Sequence, residues 1–316
     1  MKIGIIGPGA LGCLFASRLF PAADSSGQDE ILLIDHNAAR ADSLNQRGIL
    51  YESEGSEQCL AIPVHSRPTD VGPLDVLLSC VKSYDLDRSL RFAAPLLCRD
   101  TLLVFLQNGI SHLKYMDTDI CATPVFATSS EGATRLGPGH IRHAGHGRTW
   151  LGFHGNTLNR EQEDRLRRLL SLLQKGGISS SLSSDIRSRI WAKLFVNVGI
   201  NGLTAIHNKN NGYLLSTPET LENLKQLVSE AMLVAERTGI RILDDPIAGT
   251  ITVCEQTAQN ISSMLQDVRN QRPTEIEAIN GAISSLGRKH GIATPFNDAI
   301  IRDVRAIQEH YDEHKQ

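Results

Sequence analysis

At 316 residues the chain exceeds what one hydrophobic core usually organises, so two domains are expected. Apolar residues at 41%, charged residues at 21% and a net charge of -3 describe a globular chain with no electrostatic reason to bind nucleic acid or an anionic membrane. The six cysteines form no C-x-x-C pair, and neither a secretory h-region nor an apolar run of about 18 residues occurs, so a cytoplasmic protein acting on small molecules is the expectation.

In chain order, "KIGIIG" (2 to 7), "EILLID" (30 to 35), "LDVLLSCVK" (74 to 82), "TLLVFLQ" (101 to 107) and "ATPVFA" (122 to 127) are near-continuous apolar runs. Such runs suit parallel strands covered on both faces. Helical stretches at 10 to 20 and 37 to 47 lie between them, and this βαβ order predicts a doubly wound α/β sheet. The segment "PAADSSGQDE" (21 to 30) reads as a lengthened helix-to-strand loop. Gly-rich turns in "GHIRHAGHGRTWLGF" (139 to 153) predict an antiparallel hairpin appended to the sheet, followed by a helix at 160 to 174. The Gly/Ser-rich "QKGGISSSLSSD" (174 to 185) reads as a linker, which divides the chain into domains 1–180 and 181–316. Beyond it the strand signal ends. Thr217-Pro218, Asp245-Pro246, Arg272-Pro273 and Thr294-Pro295 each place proline at the first position of a predicted helix.

Gly7, Gly9 and Gly12 have the G-x-G-x-x-G spacing directly after an apolar strand and open a helix through Ala10 and Leu11. That context lets the backbone approach a pyrophosphate at a helix N-terminus, whereas an ordinary βα turn is the plainer alternative. Asp35 ends the second strand, where a carboxylate accepts from adenosine ribose hydroxyls and repels a 2′-phosphate. His36 and Arg40 follow closely enough to offset that repulsion, and Asp35 also suits a turn. Lys82 and the Asn108-Gly109 pair lie at strand ends on the carboxyl edge, where ligands bind such sheets; a solvated lysine and a common turn dipeptide are the alternatives.

"IWAKLFVNVGIN" (190 to 201) carries Lys193, Asn197 and Asn201 four residues apart on an apolar helix. At 3.6 residues per turn they drift only about 40° per step and form one stripe roughly 12 Å long. Lysine suits protonation of a ketone oxygen while a hydride arrives at carbon, because partial desolvation lowers its pKa from about 10.4 toward neutrality. The stripe can line a small substrate rich in oxygens, held between the two domains; the plainer alternative is that Lys193 snorkels to solvent while the two asparagines satisfy neighbouring helix ends. Ser263 and Glu275 can face it or can serve only their own helices. His140, His143 and His146 have no carboxylate nearby in sequence, so no metal is expected.

"GIIGPGALG", "CVKSYD", "LQNGI", "GPGHIRHAG", "WAKLFVNVGINGLTAI", "NISSMLQDVRNQRPTEIEAINGAI" and "HGIATPFN" occur in order, and with them the chain resembles the ketopantoate reductase (2-dehydropantoate 2-reductase) family over nearly its whole length. The resemblance implies a Rossmann-like sheet followed by an all-helical domain like the 6-phosphogluconate dehydrogenase C-terminal domain. It implies reduction of 2-dehydropantoate to (R)-pantoate with NADPH, on the path to pantothenate and coenzyme A. Lys193 looks like the catalytic lysine and Glu275 like the glutamate that holds the substrate hydroxyl and helps orient it. Asn197 and Asn201 match substrate-contacting positions and Ser263 the serine that binds the substrate carboxylate. Asn108 resembles the asparagine between nicotinamide and substrate, and Lys82 a cofactor-contacting lysine; a homodimer is the assembly to be entertained. Relatives that use NADPH commonly carry Arg near the end of the second strand. "LIDHNAAR" departs from that pattern, so Asp35 leaves NADH as a cofactor to be considered.

Overall fold

The computed structural model describes residues 1–23, 29–118, 120–153 and 158–313, so residues 24–28 of the 21 to 30 segment lie outside it. The chain divides into two compact units, Met1–Gln107 with His112–Ile186, and Asn108–Ser111 with Arg187–Gln316.

The first unit begins with β1 (Lys2–Ile6), α1 (Ala10–Ala22), β2 (Glu30–Ile34), α2 (Ala38–Arg47), β3 (Ile49–Ser53), β4 (Ser56–Leu60) and β5 (Val64–His65). It continues through β6 (Val76–Ser79), α3 (Leu86–Ala93), β7 (Leu102–Phe105), β8 (Thr123–Ser129), β9 (Gly132–Gly137) and β10 (His140–Gly145). It closes with β11 (Thr149–Gly152), α4 (Arg160–Lys175) and β12 (Ser180–Leu182). Eight strands form one sheet in the order β12-β11-β8-β7-β6-β1-β2-β5. Every pair in it is parallel except β8 with β11. All residues of β6 and β7 are buried, as the unbroken apolar runs require of strands covered on both faces. On one face Leu14, Phe15 and Leu19 of α1 and Leu166, Leu169 and Leu173 of α4 join Ile3, Ile5 and Val104 in a single core.

Two predictions for this unit are corrected. Residues 139 to 153 are not one hairpin on the main sheet: β10 turns back on β9 through Pro138-Gly139, where Gly139 has φ +69°, and both belong to a second sheet ordered β4-β3-β10-β9. The chain then passes Gly147 and returns to the main sheet as β11. Gly147 has no room for a side chain, since a Cβ there would lie 2.2 Å from the Ser130 carbonyl carbon. Nor is 174 to 185 wholly a linker, because its serines 180 and 181 pair with Thr149 and Trp150 as an edge strand. Short serine-rich strands carry little apolar alternation, and neither does β4, which is exposed along most of its length.

The second unit contains α5 (Ile186–His207), α6 (Pro218–Arg237), α7 (Pro246–Gln256), α8 (Ser263–Arg269), α9 (Asn280–His290) and α10 (Pro295–Glu313). Its centre is α5. A Cβ on Gly199 would meet Val228 of α6 and Thr250 of α7, and one on Gly202 would lie 2.3 Å from Ile300 of α10, so small residues let these helices approach. Thr217 and Asp245 cap α6 and α7 as the proline positions predict. Buried Glu230 accepts from the Phe296 and Asn297 amides, both 2.9 Å away, and satisfies the start of α10. Pro273 starts no α-helix. It follows a reversal that ends α8, and the next element is a 3-10 turn, Ile276–Ala278.

Candidate active site

In the first unit, β1 runs directly into the glycine turn. Gly7 has φ +91°, and a Cβ on it would press within 2.8 Å of Val81 at the end of β6. A Cβ on Gly12 would lie 2.1 Å from the Gly7 carbonyl oxygen, whereas the space around Gly9 is open to 4 Å. No side chain caps α1 at Gly9. The turn thus presents the first amides of a 13-residue helix, those of Ala10, Leu11 and Gly12, beneath a glycine with open space, a cradle that fits a dinucleotide pyrophosphate. Lys82 follows Val81 and precedes the 3-10 turn Ser83–Asp85, so its backbone adjoins the same glycine turn.

Asp35 ends β2 with its side chain fully buried. Arg40 Nε donates to one carboxylate oxygen, while Arg40 Nη2 at 2.5 Å and the Asn37 amide at 3.0 Å donate to the other. His36 Nδ1 stands 3.7 Å away. The pairing raises the Arg40 pKa still further. The charges of Arg135, Asp35 and Arg40 all act on Cys13 in α1, so two cations border this edge; burial nevertheless pushes the Cys13 thiol up to about 12, which leaves it inert.

The second unit brings together three residues far apart in sequence. Asn108 Oδ1 accepts from Lys193 Nζ at 2.9 Å, and Asn108 Nδ2 donates to Glu275 Oε2 at 3.0 Å. Backbone places them. Gly109 has φ +75°, and a Cβ on it would lie 2.0 Å from the Ala278 carbonyl oxygen; the Ile110 amide donates to that same oxygen at 3.2 Å. The loop after β7 is therefore seated on the 3-10 turn that follows Glu275. Glu275 is 5% exposed and Lys193 half-buried. Burial pushes the Lys193 ammonium down to about 8, with Glu275 pulling it back up. An amine poised near neutral pH beside a buried carboxylate can hold a proton and release it.

Asn197 and Asn201 continue the stripe along α5. Among the described residues their side chains form no hydrogen bond, an arrangement that leaves both carboxamides available to a ligand. Ser263 is exposed at the first position of α8. Its neighbour Ser262, which sequence reasoning passed over, is buried and caps the helix by accepting from the Leu265 amide at 3.1 Å. Thr204 of α5, also missed, donates to Ser262 Oγ at 2.7 Å. The serine pair before "MLQD" was the available signal for the cap. The three histidines do have carboxylates beside them. Folding brings Glu52 of β3 to His140 at 2.6 Å and Glu131, from the turn between β8 and β9, to His143 at 2.7 Å.

Comparison with known proteins covers most of the chain. Residues 3–156 match the family described as Ketopantoate reductase PanE/ApbA, and residues 185–308 match Ketopantoate reductase PanE/ApbA C terminal. The 2-dehydropantoate 2-reductase of Vibrio cholerae is 30% identical over 314 residues, covering 98% of both chains. A PanE/ApbA family ketopantoate reductase from Ralstonia eutropha superposes with a TM-score of 0.88 at 26% identity, over 99% of this chain and 100% of that one. A D-mandelate dehydrogenase solved with NADH and anilino(oxo)acetate superposes with a TM-score of 0.87 at 28% identity, over 99% of each. Among the described residues no helix is long and apolar enough to cross a membrane.

Proposed function

The chain belongs to the ketopantoate reductase (PanE/ApbA) family, and from that premise we propose that it reduces 2-dehydropantoate to (R)-pantoate with a nicotinamide dinucleotide. The observation that carries the reading is the Lys193–Asn108–Glu275 hydrogen-bonded chain. A reduced nicotinamide, when bound, supplies the hydride to the 2-oxo carbon. Protonated Lys193 stabilises the developing alkoxide and gives it a proton from Nζ. Asn108 fixes where that ammonium points, and Glu275 accepts from the substrate hydroxyl while holding Asn108 in register. The carboxamides of Asn197 and Asn201 and the hydroxyl of Ser263 suit the substrate's remaining oxygens, including its carboxylate. The Gly7–Gly12 turn, with Ala10 and Leu11, takes the pyrophosphate. Assay of purified protein with ketopantoate tests the reading directly; absence of turnover with both NADPH and NADH would overturn it.

On cofactor choice, Arg40 decides our reading. It occupies and neutralises Asp35, which removes the repulsion a free carboxylate would present to a 2′-phosphate, and it brings a guanidinium to the same edge. NADPH is therefore the proposed cofactor. Arg40→Ala exposes an unpaired carboxylate and should shift kcat/KM toward NADH by at least about tenfold; an unchanged ratio would remove Arg40 from this role.

A second reading, reduction of another branched 2-oxo acid, is favoured by the likeness to the D-mandelate dehydrogenase. A site that hydrogen-bonds the pantoyl hydroxyl should disfavour 2-oxo acids lacking it by at least about a hundredfold in kcat/KM. Equal efficiencies would favour the second reading.

A further inference from the structure

The second sheet of the first unit gathers ionisable side chains that the proposed reduction does not use. His143 Nε2 lies 2.7 Å from Glu131 Oε2, and both side chains are only 1% exposed. The other carboxylate oxygen, Glu131 Oε1, is buried with no hydrogen-bond partner among the described residues. His146 meets the His143 ring edge-on at a centroid separation of 4.4 Å. One donor atom from each of Glu131, His143 and His146 lies within 4.8 Å of the other two. Beside them a cavity of about 350 Å³ is lined by Glu52, Glu54, Glu57, Arg142 and His143.

We propose that Glu131, His143 and His146 bind one divalent transition-metal ion of the zinc type, with its remaining coordination position open to the acidic cavity. Two imidazoles and a carboxylate are a donor set for such ions, which carry water or a ligand at the fourth position. Ligands around a tetrahedral zinc stand roughly 3.4 Å apart, so the site contracts on loading. The moving part is His146, whose side chain is 55% exposed and, beyond its edge-on contact with His143, meets Glu54 at 3.0 Å. Glu131 and His143 are already placed.

His143 has what a metal ligand needs on its other nitrogen. Nδ1 faces Tyr51 Oη at 3.3 Å and Arg18 Nη2 at 3.2 Å. On loading, the imidazole stays neutral by carrying its proton on Nδ1, where Tyr51 Oη accepts it, a partner that fixes tautomer and ring orientation. Arg18 Nη2, which can only donate, gives up its bond to Nδ1 on loading and keeps its place over the Tyr51 ring, 5.2 Å from its centroid. The Arg18 and Arg142 charges oppose the ion. Glu131, Glu54, Glu52 and Glu57 outweigh them.

Full-length protein stripped with a chelator and titrated calorimetrically with zinc chloride tests the site. The wild type should bind one zinc per chain with a micromolar or tighter Kd and gain a few degrees in Tm when saturated. His146→Ala changes only an exposed side chain and should weaken zinc at least tenfold, and Glu131→Gln should do the same in protein whose circular dichroism is unchanged. Two results overturn the proposal. One is the same zinc affinity in His146→Ala, as exposed Cys59 or Cys121 would give; the other is loss of binding in His140→Ala alone, which places the ion on Glu52, Glu57 and His140 instead.

Discussion

The two units present their chemistry in opposite ways. In the first, the glycine turn offers backbone amides within six consecutive residues, and what matters is which side chains are missing: a Cβ on Gly12 strikes the Gly7 carbonyl. In the second, the proposed chemistry rests on side chains, and Lys193, Asn108 and Glu275 come from segments more than 80 residues apart. Such a binding turn is robust to the rest of the fold but intolerant of any added atom. A proton-donor chain of this second kind tolerates local change and depends on distant backbone.

The sharpest break in this comparison is Lys193→Ala. Removing the acid should lower kcat by about 10²- to 10⁴-fold while the Kd for the dinucleotide, read by fluorescence titration, stays within twofold. Unchanged turnover would strip Lys193 of its role. Gly12→Val should do the reverse, weakening dinucleotide at least about a hundredfold in a titration, because its side chain must displace the Gly7 carbonyl.

Gly109→Ala probes the backbone behind the donor chain. Its Cβ would lie 2.0 Å from the Ala278 oxygen at a φ that L-residues rarely adopt, so the loop must lift and take Asn108 with it. A loss in kcat of about ten- to a hundredfold is expected with dinucleotide affinity kept; full activity would show that Asn108 does not aim Lys193.

A smaller effect separates activity from stability. The donor must be protonated, so kcat/KM should fall about tenfold per pH unit once pH exceeds about 8. Stability runs the other way. Below pH 8 folded and unfolded chains both hold the Lys193 proton, and the folded chain bears the full cost of burying the charge. Between about 8 and 10.5 only the unfolded chain keeps it, so stability rises with pH across that window. Lys193→Met should then abolish that rise, so that the unfolding free energy of the inactive variant, measured by urea denaturation at pH 7 and pH 10, climbs less with pH than the wild type's. An unchanged slope would contradict the burial cost.

What was legible in the sequence follows the same division. The parallel strands showed themselves because burial on both faces leaves no alternation, and the glycine turn because its residues are contiguous. The polar stripe on α5 was visible as spacing. Its partners were not: nothing local says that Asn108 meets Glu275, since Gly109 docks on Ala278 only in three dimensions. The second sheet was missed because β4 is exposed and Gly-rich turns interrupt β9 and β10, so hydrophobic period carries little there. Asp35 was legible as a carboxylate at a strand end, but its bidentate pairing with Arg40 depends on how α2 begins, at the Asn37 cap.

The seating of Gly109 on Ala278 also bears on how the chain is made. Residues 108–111 are synthesised in the middle of the sheet-bearing half yet belong to the helical unit. A nascent chain that has emerged only through β12 already has its glycine turn, whereas Asn108 still lacks both of its partners, Lys193 and Glu275. On the proposed reading, the order of synthesis from the N-terminus puts the dinucleotide turn in place before the proton-donor chain is complete.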